Sequence, residues 1–131
     1  MGNKLAYRCA IIVGILLIGA ALVRAVSINN LYVAINTGDI AKQYAGSILI
    51  DWGFSSVLLL LVGIWLLFLS KDLKAWQRRA WSQATLVGLA LVIFGGGFWY
   101  KYPNSLHLPI FMILGLIVLV PLILYGKNFK K

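Results

Sequence analysis

Hydrophobic positions in this chain fall into four long runs that charge almost never interrupts. Fifteen uncharged residues lie between Arg8 and Arg24, nineteen over 52–70, twenty-one over 80–100, and twenty-five over 102–126, where only His107 can titrate. A helix crossing the hydrocarbon core of a bilayer needs about 20 mostly apolar residues. A single domain of 131 residues has no interior that could hide four such segments. The pattern predicts an all-α integral membrane protein, a four-transmembrane-helix bundle with spans near 7–26, 50–69, 81–100 and 106–125. No internal repeat and no low-complexity tail is present.

The polar stretches between the runs predict how the spans connect. The longest, 27–47, carries Asn29, Asn30, Asn36, Thr37, Gly38 and Asp39. Thr37 ahead of Gly38-Asp39 reads as a helix N-cap. Ile40, Ala41, Tyr44, Ala45 and Ile48 then recur at helical spacing, so a short amphipathic interfacial helix is expected to feed the second span. The link 71–79 is short, which makes spans two and three antiparallel neighbours. The link 101–105 is shorter still and holds a turn-favouring Pro103-Asn104 pair. Tyr7, Trp52, Trp76, Trp81, Trp99, Tyr100, Tyr102 and Tyr125 all fall near span ends, where amphipathic rings favour the headgroup region. Trp65, inside span two, reads as a packing or lipid-facing residue.

Composition supports the class. Hydrophobic residues make up 62% of the chain and charged ones 11%, against roughly 25% charged in a soluble domain. Net charge is +9, but the basic residues sit in connections and tails. Too little chain lies outside the runs to build a nucleic-acid-binding face, so no nucleic-acid partner is expected. Nine basic residues fall on one side of the predicted layout (Lys4, Arg8, Lys71, Lys74, Arg78, Arg79, Lys127, Lys130 and Lys131) and three on the other (Arg24, Lys42 and Lys101). The positive-inside bias then places both termini and the middle loop in the cytoplasm, N-in and C-in, with 27–47 outside. The expected location is a plasma membrane of the bacterial inner-membrane kind. The first run has the basic start and length of a secretory signal, but Arg24 would precede the cut near Ala25, where small neutral residues are preferred. The span is therefore expected to be retained.

Small residues predict close helix packing. Gly14 and Gly19 in span one, and Gly88, Gly95, Gly96 and Gly97 in span three, permit near approach of backbones, on which association in lipid relies. Three consecutive glycines weaken a helix, each by up to about 1 kcal/mol against Ala. A tight crossing is the expected role of Gly95-Gly96-Gly97; a hinge or the wall of a small-molecule pocket is the alternative. Pro121, late in span four, should free the carbonyl of Ile117 and bend the helix, with Gly115 adding to the bend.

Candidate chemistry is sparse. One Cys leaves no thiol pair for disulfide exchange. One His allows no bis-His haem site, and with no Glu and only Asp39, Asp51 and Asp72 as acids there is no carboxylate-rich metal centre. No catalytic residue, metal ligand or cofactor is indicated, and the chain is not expected to be an enzyme. Ionisable groups near the hydrocarbon are costly and are candidates by default. Arg24 ends span one, Asp51 opens span two and His107 opens span four, so the three are expected at one level as an outer polar cluster. Arg24 and Asp51 are expected to approach closely enough to pair.

In size the chain is similar to small multidrug-resistance exporters, which also have four short spans. Those rely on a Glu in their first span, and the matching run here, Cys9 to Val23, holds no acid. The layout also resembles DoxX-type small membrane proteins: a basic residue opening span one (Arg8), glycines inside it (Gly14, Gly19), and a loop leading to an acid at the start of span two (Asp51). Three functions follow as expectations. The first is a non-catalytic accessory subunit or assembly factor of a membrane complex, with a membrane-protein partner or a second copy. Next is a small-molecule or lipid carrier acting as an oligomer. The last, implied by the DoxX resemblance, is a redox-associated membrane component. The sparse chemistry favours the first.

Overall fold

The apolar runs become helices with little between them. The computed structural model of the chain describes residues 2–39, 41–104 and 107–129, leaving aside the side chains of residues 2, 3 and 107. In chain order the helices are α1 (Gly2–Val26), α2 (Ile28–Asn36), α3 (Lys42–Lys74), α4 (Arg78–Lys101) and α5 (His107–Leu124), followed by a 3₁₀ turn at Gly126–Asn128. No strand occurs among the described residues. Three helical stretches, Lys4–Asn36, Lys42–Lys74 and Arg78–Lys101, are long and apolar enough to cross a membrane, and the apolar stretch Leu108–Leu124 is shorter. The chain divides into two compact units, residues 15–64 and residues 1–14 together with 65–131, so α1 and α3 each contribute to both.

In the unit 15–64, α2 continues α1 with one interruption at Ser27. The amide of Ser27 still donates to the carbonyl of Val23 (3.0 Å), and that of Leu31 to Ser27 (3.3 Å). The Ser27 hydroxyl donates to the Arg24 carbonyl at 2.8 Å, a local bond of the kind that competes with the helical ladder. The connection expected over 27–47 is therefore largely helix.

Thr37 ends α2 instead of opening the next helix, which corrects its assignment as an N-cap. It is the C-cap, at φ −81° and ψ −8°, and its Oγ1 lies 3.0 Å from the Val33 carbonyl and 3.2 Å from that of Ala34. Gly38 follows at φ +85°, the left-handed position after a C-cap that glycine fills without a Cβ clash. Of the positions expected to form a short interfacial helix, Ile40 lies outside the described residues, and Tyr44, Ala45 and Ile48 lie in α3. α3 starts at Lys42 and runs unbroken for 33 residues to Lys74, because 42–51 contains no proline and its apolar positions continue into the span. At about 1.5 Å per residue such a helix is about 50 Å long, against about 30 Å of hydrocarbon.

In the other unit, α4 and α5 pack antiparallel along a seam of small residues. Trp81 meets Leu122, Gly88 meets Leu119 and the Gly115 carbonyl, Gly115 meets Val92, and Gly95 meets Met112 and Leu108. The α5 positions 108, 112, 115, 119 and 122 step by four and three, and 81, 88, 92 and 95 lie on one matching face of α4. This is the spacing that keeps a stripe in register between two helices. A Cβ on Gly95 would lie 2.5 Å from the Met112 amide nitrogen and 2.7 Å from the Leu108 carbonyl oxygen; one on Gly115 would lie 2.7 Å from the Gly88 carbonyl oxygen. Only glycine permits these backbone approaches. Pro121 lies inside α5, and the helix continues past it to Leu124.

Two helix ends in this unit are closed in ways the sequence does not advertise. After α3 the amide of Trp76 donates to Leu73 (3.1 Å) and that of Gln77 to Asp72 (3.0 Å), the paired bonds of a Schellman ending. The left-handed residue is Trp76, at φ +57°, where glycine is usual. Its ring stands edge-on to Phe129, 4.9 Å between centroids, and Phe129 is buried. At the end of α5, Trp81 Nε1 donates to the Leu122 carbonyl at 2.8 Å and Arg78 Nη1 to the Gly126 carbonyl at 3.0 Å. The Arg78 guanidinium lies 3.9 Å from the Trp81 ring centre. The Leu122 carbonyl, one of those a helix C-terminus leaves without a partner, is thus served from α4, as is that of Gly126 in the turn that follows.

Candidate functional site

The most constrained charged group in the unit 15–64 is Arg24. Its backbone is the last helical turn of α1, and its side chain crosses to α3. Arg24 Nε donates to Ser55 Oγ at 2.7 Å, and the guanidinium carbon sits 4.0 Å from the centre of the Trp52 ring, a cation–π contact. Trp52 Nε1 in turn donates to the Arg24 carbonyl at 2.8 Å. Ser55 Oγ donates to the Trp52 carbonyl at 3.1 Å, which leaves its lone pairs to accept from arginine. Ser56, buried one position on, donates to the same carbonyl at 2.8 Å. Residues 52, 55 and 56 share one face of α3, since i, i+3 and i+4 are neighbours on a helix.

Arg24 and Asp51 are expected close enough for a direct or water-bridged contact; no direct one forms among the described residues, and the guanidinium meets Ser55 and Trp52 instead. Asp51 is exposed and lies one turn before Ser55 on α3. The short serine reaches the guanidinium from within the turn already occupied by Trp52. The third member of the expected cluster, His107, opens α5, but its side chain lies outside the described residues. Sequence reading missed Ser55 and took Trp52 only as an interfacial ring. The available signal was a Trp and two Ser at i, i+3 and i+4 opening an otherwise apolar span, one helix away from a lone Arg.

The glycines separate into filled and open positions. Gly95 is buried against α5, while Gly96 faces the Met112 thioether, 3.2 Å from the place of a Cβ. A Cβ on Gly97 or Gly19 would meet nothing within 4 Å. Gly14 is buried in α1. Gly88 and Gly115 carry the α4–α5 approach as much as the triplet does. Gly46 and Gly53 in α3 are also open, with nothing within 4 Å of an added Cβ. They flank a stripe of exposed apolar side chains, Ile50, Phe54, Val57 and Leu61.

Around the open side of the triplet, Gly96, Trp99, Tyr100, Pro103 and Met112 line a shallow depression of about 440 Å³. Among the described residues its walls are almost wholly apolar. Among the described residues no three His, Cys, Asp or Glu side chains gather as a metal site would require. Compared with known proteins, the chain matches no family model, no curated protein and no solved structure, so the exporter and DoxX resemblances rest on the residues quoted for them alone.

Proposed function

We propose that this chain is a small non-catalytic subunit or assembly factor of a membrane complex, with α3 as the helix that meets the partner. The carrying observation is Gly53, an open glycine beside an exposed apolar stripe, with Gly46 open two turns earlier on the same face of α3. A glycine in a helix interior costs up to about 1 kcal/mol relative to alanine. Gly88, Gly95 and Gly115 offset that cost by close packing inside the chain, whereas Gly46 and Gly53 have no such return within it. Lipid chains are as apolar as Ile, Phe or Leu, so the stripe alone gives no drive to associate, and small residues that admit another backbone do. The partner is a second membrane helix, from another protein or another copy of this chain.

In this reading α5 completes a four-span layout. Its 18 residues reach about 27 Å at 1.5 Å each, close to the thickness of the hydrocarbon. The nine-to-three split of basic residues supports cytoplasmic termini in a bacterial inner membrane. The test is recovery of the tagged chain from native membranes in mild detergent, as wild type and as Gly53→Leu. The variant should retain or gain stability, because leucine is the better helix former, and should lose the co-purifying partner or the dimer. Undiminished recovery of the partner, or a wild-type chain that is monomeric and alone, overturns the reading. Reporter fusions after Asn36 and at Lys131 should report outside and inside respectively; an external C-terminus refutes the orientation.

A further inference from the structure

We propose that Arg24, held by Ser55 and Trp52, is a binding site for the phosphodiester of one membrane lipid. Arg24 ends an uninterrupted apolar run and stands where the hydrocarbon gives way to headgroups. Its Nε is engaged by Ser55 at 2.7 Å and its central carbon lies over the Trp52 ring, 4.0 Å from the centre. The Trp52 ring is itself tied by its N–H to the Arg24 carbonyl at 2.8 Å. The guanidinium is therefore fixed in direction by the helix that carries it and by the helix it meets. Among the described residues its two terminal amino groups have no hydrogen-bond partner and no carboxylate, since Asp51 does not reach them.

Donors at this depth need an anionic or polar acceptor, because a charged group left unpaired beside hydrocarbon is strongly disfavoured. A planar guanidinium offers two parallel N–H bonds, the arrangement that fits two oxygens of a phosphate. The lipid phosphodiester is the phosphate present at that level in high abundance. Ser55 and Trp52 reduce the ordering penalty of binding by holding the fork before the lipid arrives. The exposed apolar residues Val23 and Val26 beside Arg24 give acyl chains a surface next to the headgroup. A free phosphate ion shares the headgroup's chemistry but lacks the chains that would use this surface.

The experiment is native mass spectrometry of the full-length chain released from detergent after titration with phosphatidylglycerol, phosphatidylcholine, diacylglycerol or inorganic phosphate. The wild type should retain one molecule of either phospholipid at activation energies that strip the rest, and should not retain diacylglycerol. Arg24→Gln should bind that lipid about tenfold more weakly or worse, the scale of a lost charge-assisted hydrogen bond. Ser55→Ala, which keeps the charge but frees its orientation, should give a smaller loss, and Arg8→Gln should match wild type. Should Arg24→Gln fail to fold, Ser55→Ala decides on its own. Equal retention by wild type and Ser55→Ala together with any folded Arg24 variant overturns the proposal, as does retention of diacylglycerol. Displacement of the lipid by millimolar inorganic phosphate would move the site to a free anion and overturn its assignment to lipid.

Discussion

A methyl group added at Gly95 should weaken the α4–α5 pair, although the same change at Gly97 should strengthen its helix. Helix propensity favours both substitutions by up to about 1 kcal/mol. At Gly97 nothing lies within 4 Å of the new Cβ, so that gain should appear whole. At Gly95 the new atom would lie 2.5 Å from the Met112 nitrogen, 2.7 Å from the Leu108 oxygen and 3.1 Å from the Met112 Cα. All three are backbone atoms, so no side-chain rotation relieves the overlap. With ordinary contact starting near 3.4 Å, the helices must part by roughly 0.9 Å at this point. A gap of that order forfeits about a quarter to a half of the attraction of each contact it opens. Overpacking of this kind costs about 1–3 kcal/mol, which exceeds the propensity gain. Gly95→Ala should therefore be destabilised by about 1 kcal/mol, and the two alanine variants should differ by about 2 kcal/mol. Reversible unfolding in mixed micelles of dodecyl maltoside and SDS, followed by circular dichroism, measures both. A Gly95→Ala protein as stable as the wild type, beside a normal gain at Gly97, would refute the seam.

Two further outcomes follow from the arginine–tryptophan contacts. Trp81→Phe keeps a ring under Arg78 but removes the donor to the Leu122 carbonyl. Stability should fall by about 1 kcal/mol and amide exchange should quicken around residues 122–126, and unchanged exchange there would show that the bond does not hold the end of α5. In a double-mutant cycle, Arg24→Ala and Asp51→Ala should add to within about 0.5 kcal/mol, because Arg24 is committed to Ser55 and Trp52; a larger coupling would mean that Asp51 reaches the guanidinium in the bilayer.

Long apolar runs made the helical class readable, because a span is specified by length and by the lack of charge rather than by any single residue. The end of α2 was readable too, but through Gly38 and not through Thr37. Threonine serves at both ends of helices, capping amides at one and bonding back to carbonyls at the other, whereas a glycine that follows it favours the C-terminal role. The tight crossing of α4 and α5 was half legible. The triplet Gly95-Gly96-Gly97 stood out as a whole, but Gly115 drew attention as a bend beside Pro121 and not as the surface opposite Gly88. Matching four-and-three spacing on both helices was the signal that would have paired them. The Schellman ending at Trp76 was not legible, since the left-handed residue is one of the least suited to it and is held by Phe129, more than fifty positions along the chain. Nor was the choice between Ser55 and Asp51 as the partner of Arg24, which depends on the rotation of two helices about their own axes.

The 33-residue length of α3 has a practical consequence. With Trp52 at the hydrocarbon boundary, the ten residues from Lys42 to Asp51 carry the helix about 15 Å further. The headgroup layer takes up about 5–8 Å of that distance. On that placement the tip formed by Thr37, Gly38 and Asp39, which closes α2 just before α3 begins, would stand clear of the lipid. A rigid binding module grafted at that tip would move with the span beneath it. That gives a protein of this size a fiducial large enough to align in electron-microscope images, at a site apart in sequence from Arg24, Trp52 and Ser55.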